Sequence, residues 1–170
     1  MLIDNFKHVK WHTIFDFWEK LATELKNKGY NVISKPDKQN IIDLTHFESY
    51  RKGQTNKQNF GIYFNISEDE KYEIWNETDE YLYFGLKKDE KITNIVTDKI
   101  NYLIETTQYY TKNEHFYFYN EFFDKDSDKL ILSDFSSQAT FNLIQKDHQD
   151  IVIKKIIETI EEYEKIIKSR

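Results

Sequence analysis

The segment Phe60-Gly61-Ile62-Tyr63-Phe64-Asn65-Ile66 places Phe60, Ile62, Phe64 and Ile66 at every second position. An extended strand sends alternate side chains to opposite faces, so this spacing predicts a strand with one apolar face. Glu68-Asp69-Glu70 can turn the chain, Tyr72, Ile74 and Trp75 fall in a second strand, and Tyr81–Leu86 reads as a third. Short β-rich runs joined by brief polar turns favour an antiparallel sheet.

Helices are expected on either side of this meander. From Trp11 to Lys28 the residues Trp11, Ile14, Phe15, Trp18, Leu21, Ala22 and Leu25 form an amphipathic stripe. Thr13 with Asp16 reads as its start signal, and Gly29 fits the left-handed position beyond its end. Tyr30–Ser34 reads as a short strand stopped by Pro36, with a further strand at Ile41–Phe47; the polar region 35–59 is expected to be a mobile loop. A middle helix is expected at Ile92–Thr107. His115–Phe123 and Leu130–Phe135 read as a hairpin around Asp124-Lys125-Asp126-Ser127-Asp128. A short helical piece, Gln138–Ile144, precedes a last helix capped by Asp147. Ile153, Ile156, Ile157, Ile160, Tyr163 and Ile167 form the apolar face of that helix, and Glu158, Glu161, Glu162 and Glu164 its wet face. The expected architecture is one α+β domain over residues 1–170. In it a mainly antiparallel sheet of about 5–7 strands carries an N-terminal, a middle and a C-terminal helix on one face.

Composition narrows the function. The 170 residues include 28 aromatics (3 Trp, 12 Tyr, 13 Phe), enough to fill a core. No Cys is present, which excludes disulfides, thiolate catalysis and cysteine zinc sites. Four Gly and one Pro leave little material for a phosphate-cradling loop. No run reaches the ~18 apolar residues of a membrane span, and Met1–His8 lacks the pattern of a signal peptide. The expectation is a cytoplasmic protein without a cofactor. Its abundance of Lys and Ile over Arg and Ala suggests an AT-rich bacterial or phage genome.

The charge is uneven. Residues 1–60 carry 10 basic and 7 acidic groups, net +3, whereas residues 61–170 carry 14 basic and 23 acidic groups, net −9. The latter surface repels phosphate backbones, which argues against direct nucleic-acid binding. Glu68, Asp69, Glu70, Glu73, Glu77, Asp79 and Glu80 concentrate the negative charge around Trp75. They are the expected partner-binding residues. Charge would speed the approach of a basic protein, possible targets including a nucleic-acid-binding one, and Trp75 would anchor it. An ordinary solvated hairpin is the competing reading of the same run.

Catalytic and metal patterns are weaker. Asp37, after Pro36, and Asp69-Glu70-Lys71 can be written as a nuclease signature, in which Asp37 and Asp69 hold Mg²⁺ and Lys71 steadies the attacking water. Acid-x-Lys triplets also occur at Glu24-Leu25-Lys26 and Asp89-Glu90-Lys91, and roughly four are expected by chance in so charged a chain. Asp124, Asp126 and Asp128 have calcium-loop spacing, but Lys129 and Phe135 stand where Gly and a bidentate acid are needed. His8 and His12 share a helical spacing without a third ligand. The aromatic run Phe116-Tyr117-Phe118-Tyr119 has acidic flanks, which favour a core and protein-contact role over base stacking.

The run Phe15-Asp16-Phe17-Trp18-Glu19-Lys20-Leu21 leads to Gly29-Tyr30. Together with Tyr72-Glu73-Ile74, Tyr81-Leu82-Tyr83-Phe84-Gly85, the aromatic hairpin and the Ile-rich last helix, it resembles the C-terminal, non-catalytic region of bacterial PD-(D/E)XK nuclease superfamily proteins, from about Phe15 to Ile167. The resemblance implies an accessory or recognition module and carries over no catalytic residue. The sequence therefore reads as a non-enzymatic, acidic interaction module. In its most concrete form it inhibits a nucleic-acid-binding defence protein by occupying a basic site. A divergent Mg²⁺ nuclease using Asp37, Asp69 and Lys71, and a structural subunit of a larger assembly, are the alternatives.

Overall fold

The computed structural model describes residues 2–35, 60–66, 73–78, 82–87, 101, 102, 105, 116–121, 130, 132 and 137–168. Helix α1 runs Leu2–Asn27, β1 Ile33–Lys35, β2 Phe60–Asn65, β3 Glu73–Thr78, β4 Leu82–Lys87 and β5 Phe116–Glu121; α2 covers Gln138–Asn142 and α3 Lys146–Lys168. The strands form one sheet in chain order, β1-β2-β3-β4-β5, with every neighbouring pair antiparallel.

Helix α1 begins nine residues before the expected Trp11. Neither Gly nor Pro interrupts residues 2–28, so nothing stops the helix from extending backward. Thr13 is accordingly a buried mid-helix residue and not a cap. The buried stripe is Ile14, Phe17, Trp18, Leu21, Ala22 and Leu25. Phe17 is wholly buried, whereas Phe15, expected in the core, is only partly covered.

The end of α1 is fixed by backbone geometry. Gly29 has φ +92°, its N–H donates to the Lys26 carbonyl at 2.9 Å, and the Tyr30 N–H reaches back to the Leu25 carbonyl at 3.1 Å. This pair of bonds is the Schellman stop. It uses Tyr30 as part of the cap, so β1 starts at Ile33 and not at the expected Tyr30. The Tyr30 ring packs on Phe64 of β2 with centroids 4.8 Å apart, joining the cap to the sheet.

One core joins the helices to the sheet. Residues Ile14, Phe17, Trp18, Leu21 and Leu25 of α1 share it with Ile153, Ile156, Ile160 and Tyr163 of α3, Ile62 and Phe64 of β2, and Leu82 and Leu86 of β4. On β2 the period-two reading holds: Ile62, Phe64 and Ile66 are buried, while Tyr63 and Asn65 between them are half-buried.

Other expectations shift. Leu130 is not in a strand and Leu132 lies in a turn, so at its described positions the expected strand Leu130–Phe135 is absent. The Leu130 carbonyl instead accepts from the Leu82 N–H at 2.8 Å, extending beside β4. Helix α3 starts one residue before the expected cap Asp147. The Gln145 carbonyl accepts from His148 and Gln149 at 3.1 Å each, and Asp147 sits in the first turn, where it still complements the helix dipole. Helix α2 is capped by Ser137, whose Oγ accepts from the Thr140 N–H at 3.2 Å. The middle helix expected at Ile92–Thr107 is described only at Asn101, Tyr102 and Glu105, all helical. The expected strand Ile41–Phe47 and the region 36–59 lie outside the described residues.

A Cβ at Gly29 would meet nothing within 4 Å, so substitution there tests backbone strain alone. Gly29→Ala is expected to destabilise the protein by about 1–2 kcal/mol in urea unfolding, the cost of a left-handed L-residue, without altering the m-value.

Candidate interaction surface

Strand β3 is the central strand of the sheet and holds three of the expected partner-binding residues. Glu73 pairs with Asn65; Trp75 with Tyr63 and Gly85; Glu77 with Gly61 and Tyr83. The core residues Phe64 and Ile62 of β2 instead pair with Ile74 and Asn76, and Leu86 and Leu82 of β4 with Ile74 and Thr78. Glu73, Trp75 and Glu77 thus occupy the register positions that alternate with the core-lining ones. Strand rise sets the Glu73 and Glu77 backbone positions about 13 Å apart, with Trp75 midway. Trp75 and Glu77 each lie opposite a glycine, Gly85 and Gly61, and both glycines are buried.

The remaining expected residues, Glu68, Asp69, Glu70, Asp79 and Glu80, lie outside the described residues, as do Asp37 and Lys71 of the nuclease alternative and the Asp124–Asp128 turn. Among the described residues no group of three or more His, Asp or Glu converges as a metal site. No described helix is long and apolar enough to cross a membrane.

A polar cluster that the sequence reading assigned to a wet helix face joins the ends of α1 and α3. Lys28 Nζ donates to Glu161 Oε1 at 2.7 Å. The Tyr30 hydroxyl donates to Glu164 Oε2, and Lys168 Nζ donates to the other oxygen of the same carboxylate. Nearer the other end, Lys20 pairs with Asp150, and the buried Gln149 donates to the Leu143 carbonyl at 2.8 Å and, less closely, to the Thr13 carbonyl at 3.5 Å. The partners advance together along both helices, from Thr13 with Gln149 to Tyr30 with Glu164. The helices therefore run in the same direction. Their negative dipole ends lie side by side, where Lys26, Lys165 and Lys168 in the last turns offset them.

These contacts set the ionisation of the cluster. Burial works against the charged form of Glu164, but the hydrogen bonds from Lys168 and Tyr30 outweigh it and hold the carboxyl below its usual range. Burial, reinforced by the bond to Glu164, pushes the Tyr30 phenol well above its ordinary value. Glu161 raises Lys28 through a hydrogen bond and its charge. Glu161 and Glu164 are thus tied down and half-buried, whereas Glu158 and Glu162 are exposed as expected. No local signal marks the cluster, because its partners are 133 and 134 residues apart in sequence.

Comparison with protein-family models, with curated proteins and with solved structures gives no match.

The ionisation shifts have opposite consequences. Glu164, depressed in the folded state, contributes stability above the unfolded value of 4.5, and this is lost as pH falls through its folded value. Tyr30, raised in the folded state, contributes stability below 10.0, and this is lost as pH rises through its folded value. Thermal unfolding against pH should therefore show wild type and Tyr30→Phe converging above pH 10.0, and wild type and Glu164→Gln converging below pH 4.5.

Proposed function

We propose that this chain is a non-enzymatic interaction module that binds a basic protein partner. In this reading the face of the sheet opposite the helices is its working surface. Helices α1 and α3 share one core with Ile62, Phe64, Leu82 and Leu86 of the sheet, and the β3 positions Glu73, Trp75 and Glu77, which alternate with those paired to core residues, are assigned to the opposite face. In sequence the acidic stretch continues on either side of β3 through Glu68, Asp69, Glu70, Asp79 and Glu80.

The observation that carries the proposal is the β3 register. It sets two carboxylates and an indole at positions alternating with those paired to core residues. An indole between two acids combines a desolvating anchor with long-range attraction for Lys and Arg. The net charge of −9 on residues 61–170 acts in the same direction. The most concrete form is an inhibitor, of bacterial or phage origin and cytoplasmic, that fills the phosphate-binding site of a nucleic-acid-binding defence protein. The resemblance to the non-catalytic region of PD-(D/E)XK superfamily proteins fits a recognition role.

Affinity purification with the full chain tests this. The recovered partners should be enriched in basic proteins, and binding should weaken steeply as salt rises. Trp75→Ala should cost about 2 kcal/mol of binding, as expected for a central aromatic anchor. Glu73→Lys with Glu77→Lys should slow association more than it speeds dissociation. Partners no more basic than background, or binding indifferent to salt, would contradict the proposal.

A further inference from the structure

The order of the strands leaves β5 at one end of the sheet, paired on one side with β4. Its backbone direction follows from a single bond. Leu82 is opposite Thr78 of β3, yet its N–H donates to the Leu130 carbonyl at 2.8 Å and so points away from β3. Alternation then directs the N–H groups of Phe84 and Leu86 toward β5. Their partners Asn120 and Phe118 use their main-chain groups on β4. Tyr119 and Glu121 consequently turn their N–H and C=O groups to the outer edge.

A bulge limits this edge. Phe118 pairs with Leu86 but Phe116 with Lys87, so Tyr117 is the extra residue and Phe118–Glu121 is the regular stretch. Among the described residues nothing pairs with its outer side. The strand expected to do so is absent at Leu130 and Leu132, as described above. Natural edge strands are commonly guarded by Lys or Pro, and Phe116–Glu121 contains neither. Glu121 is its one charged residue.

We propose that the outer edge of β5 accepts an extended, basic segment of the partner as a sixth strand. The choice of a basic segment rests on the function proposed above; the edge itself rests on the sheet. Tyr119 and Glu121 offer two donors and two acceptors, which supply sequence-independent affinity, while flanking charge selects among extended segments. Charge also distinguishes this occupant from a second copy. Two chains of net charge −6 repel, and residues 61–170 at −9 attract Lys and Arg.

The test uses the full chain and three synthetic octapeptides: alternating Lys-Val, the same peptide N-methylated at alternate residues, and alternating Glu-Val. The Lys-Val peptide should bind and slow hydrogen exchange at the Tyr119 and Glu121 amides. N-methylation of the peptide should abolish binding. Tyr119→Pro removes one outward N–H without breaking a bond to β4 and should weaken binding about tenfold. The methylated peptide makes the same test on the unaltered protein, so the result does not depend on that variant folding. Lys-Val binding that protects other residues and ignores both changes would overturn the edge site but leave the basic-partner reading standing. Absent binding would overturn both. Equal binding of Glu-Val that protects β5 would overturn the charge selection, and with it the basic-partner reading. Protection of the same amides by self-association, without peptide, would assign the edge to a second copy and overturn the proposal.

Discussion

The structure depends on burial between its first and last helices. Trp18, Leu21 and Leu25 of α1 and Ile156, Ile160 and Tyr163 of α3 are essentially inaccessible to water, and they share their core with Ile62, Phe64, Leu82 and Leu86 of the sheet. Each large apolar side chain removed from water contributes ~1.5–3 kcal/mol. The contributing elements lie at opposite ends of the sequence. Their closure must therefore offset the entropy of fixing nearly the whole chain, and most of the gain arrives only once α3 has docked. Such non-local contacts make folding slow relative to helical bundles of similar size.

Polar contacts set the alignment of this seam more than they strengthen it. The Lys20–Asp150 and Lys28–Glu161 pairs are substantially exposed, and exposed pairs contribute little net stability. The Tyr30–Glu164–Lys168 group is more covered, and Gln149 spans α3, the end of α2 and the backbone of α1. Their geometric demands select one sliding register between two helices that hydrophobic burial alone would leave free to shift.

Much of this was legible in local sequence. The stripe of α1, the stop at Gly29, the alternation of Phe60–Ile66 and the Ile-rich face of α3 each follow from one period or one residue type, and tertiary packing agrees with them. The failures occurred where a second demand competed. Tyr30 has strand-forming character but serves the helix cap and stacks on Phe64. Leu130 has the apolar strand-forming character of a hairpin arm, but its carbonyl accepts from the Leu82 N–H. Glu161 and Glu164 have the spacing of a solvated face, and only the approach of Lys28 and Tyr30 gives them partners. Of the interaction surface, the sequence carried the charge and the residue types, while strand pairing supplied the register of Glu73, Trp75 and Glu77. Register depends on which strands meet, and no single strand encodes that.

The central proposal is that Trp75 serves as an anchor outside the core, whereas Trp18 is wholly buried within it. Acrylamide quenching of tryptophan emission tests it directly, in a Trp11→Phe background that leaves these two indoles. The account predicts one readily quenched population that disappears in Trp75→Phe, with the remaining Trp18 emission strongly shielded. A quenching curve unchanged by Trp75→Phe, with both indoles shielded, would contradict it.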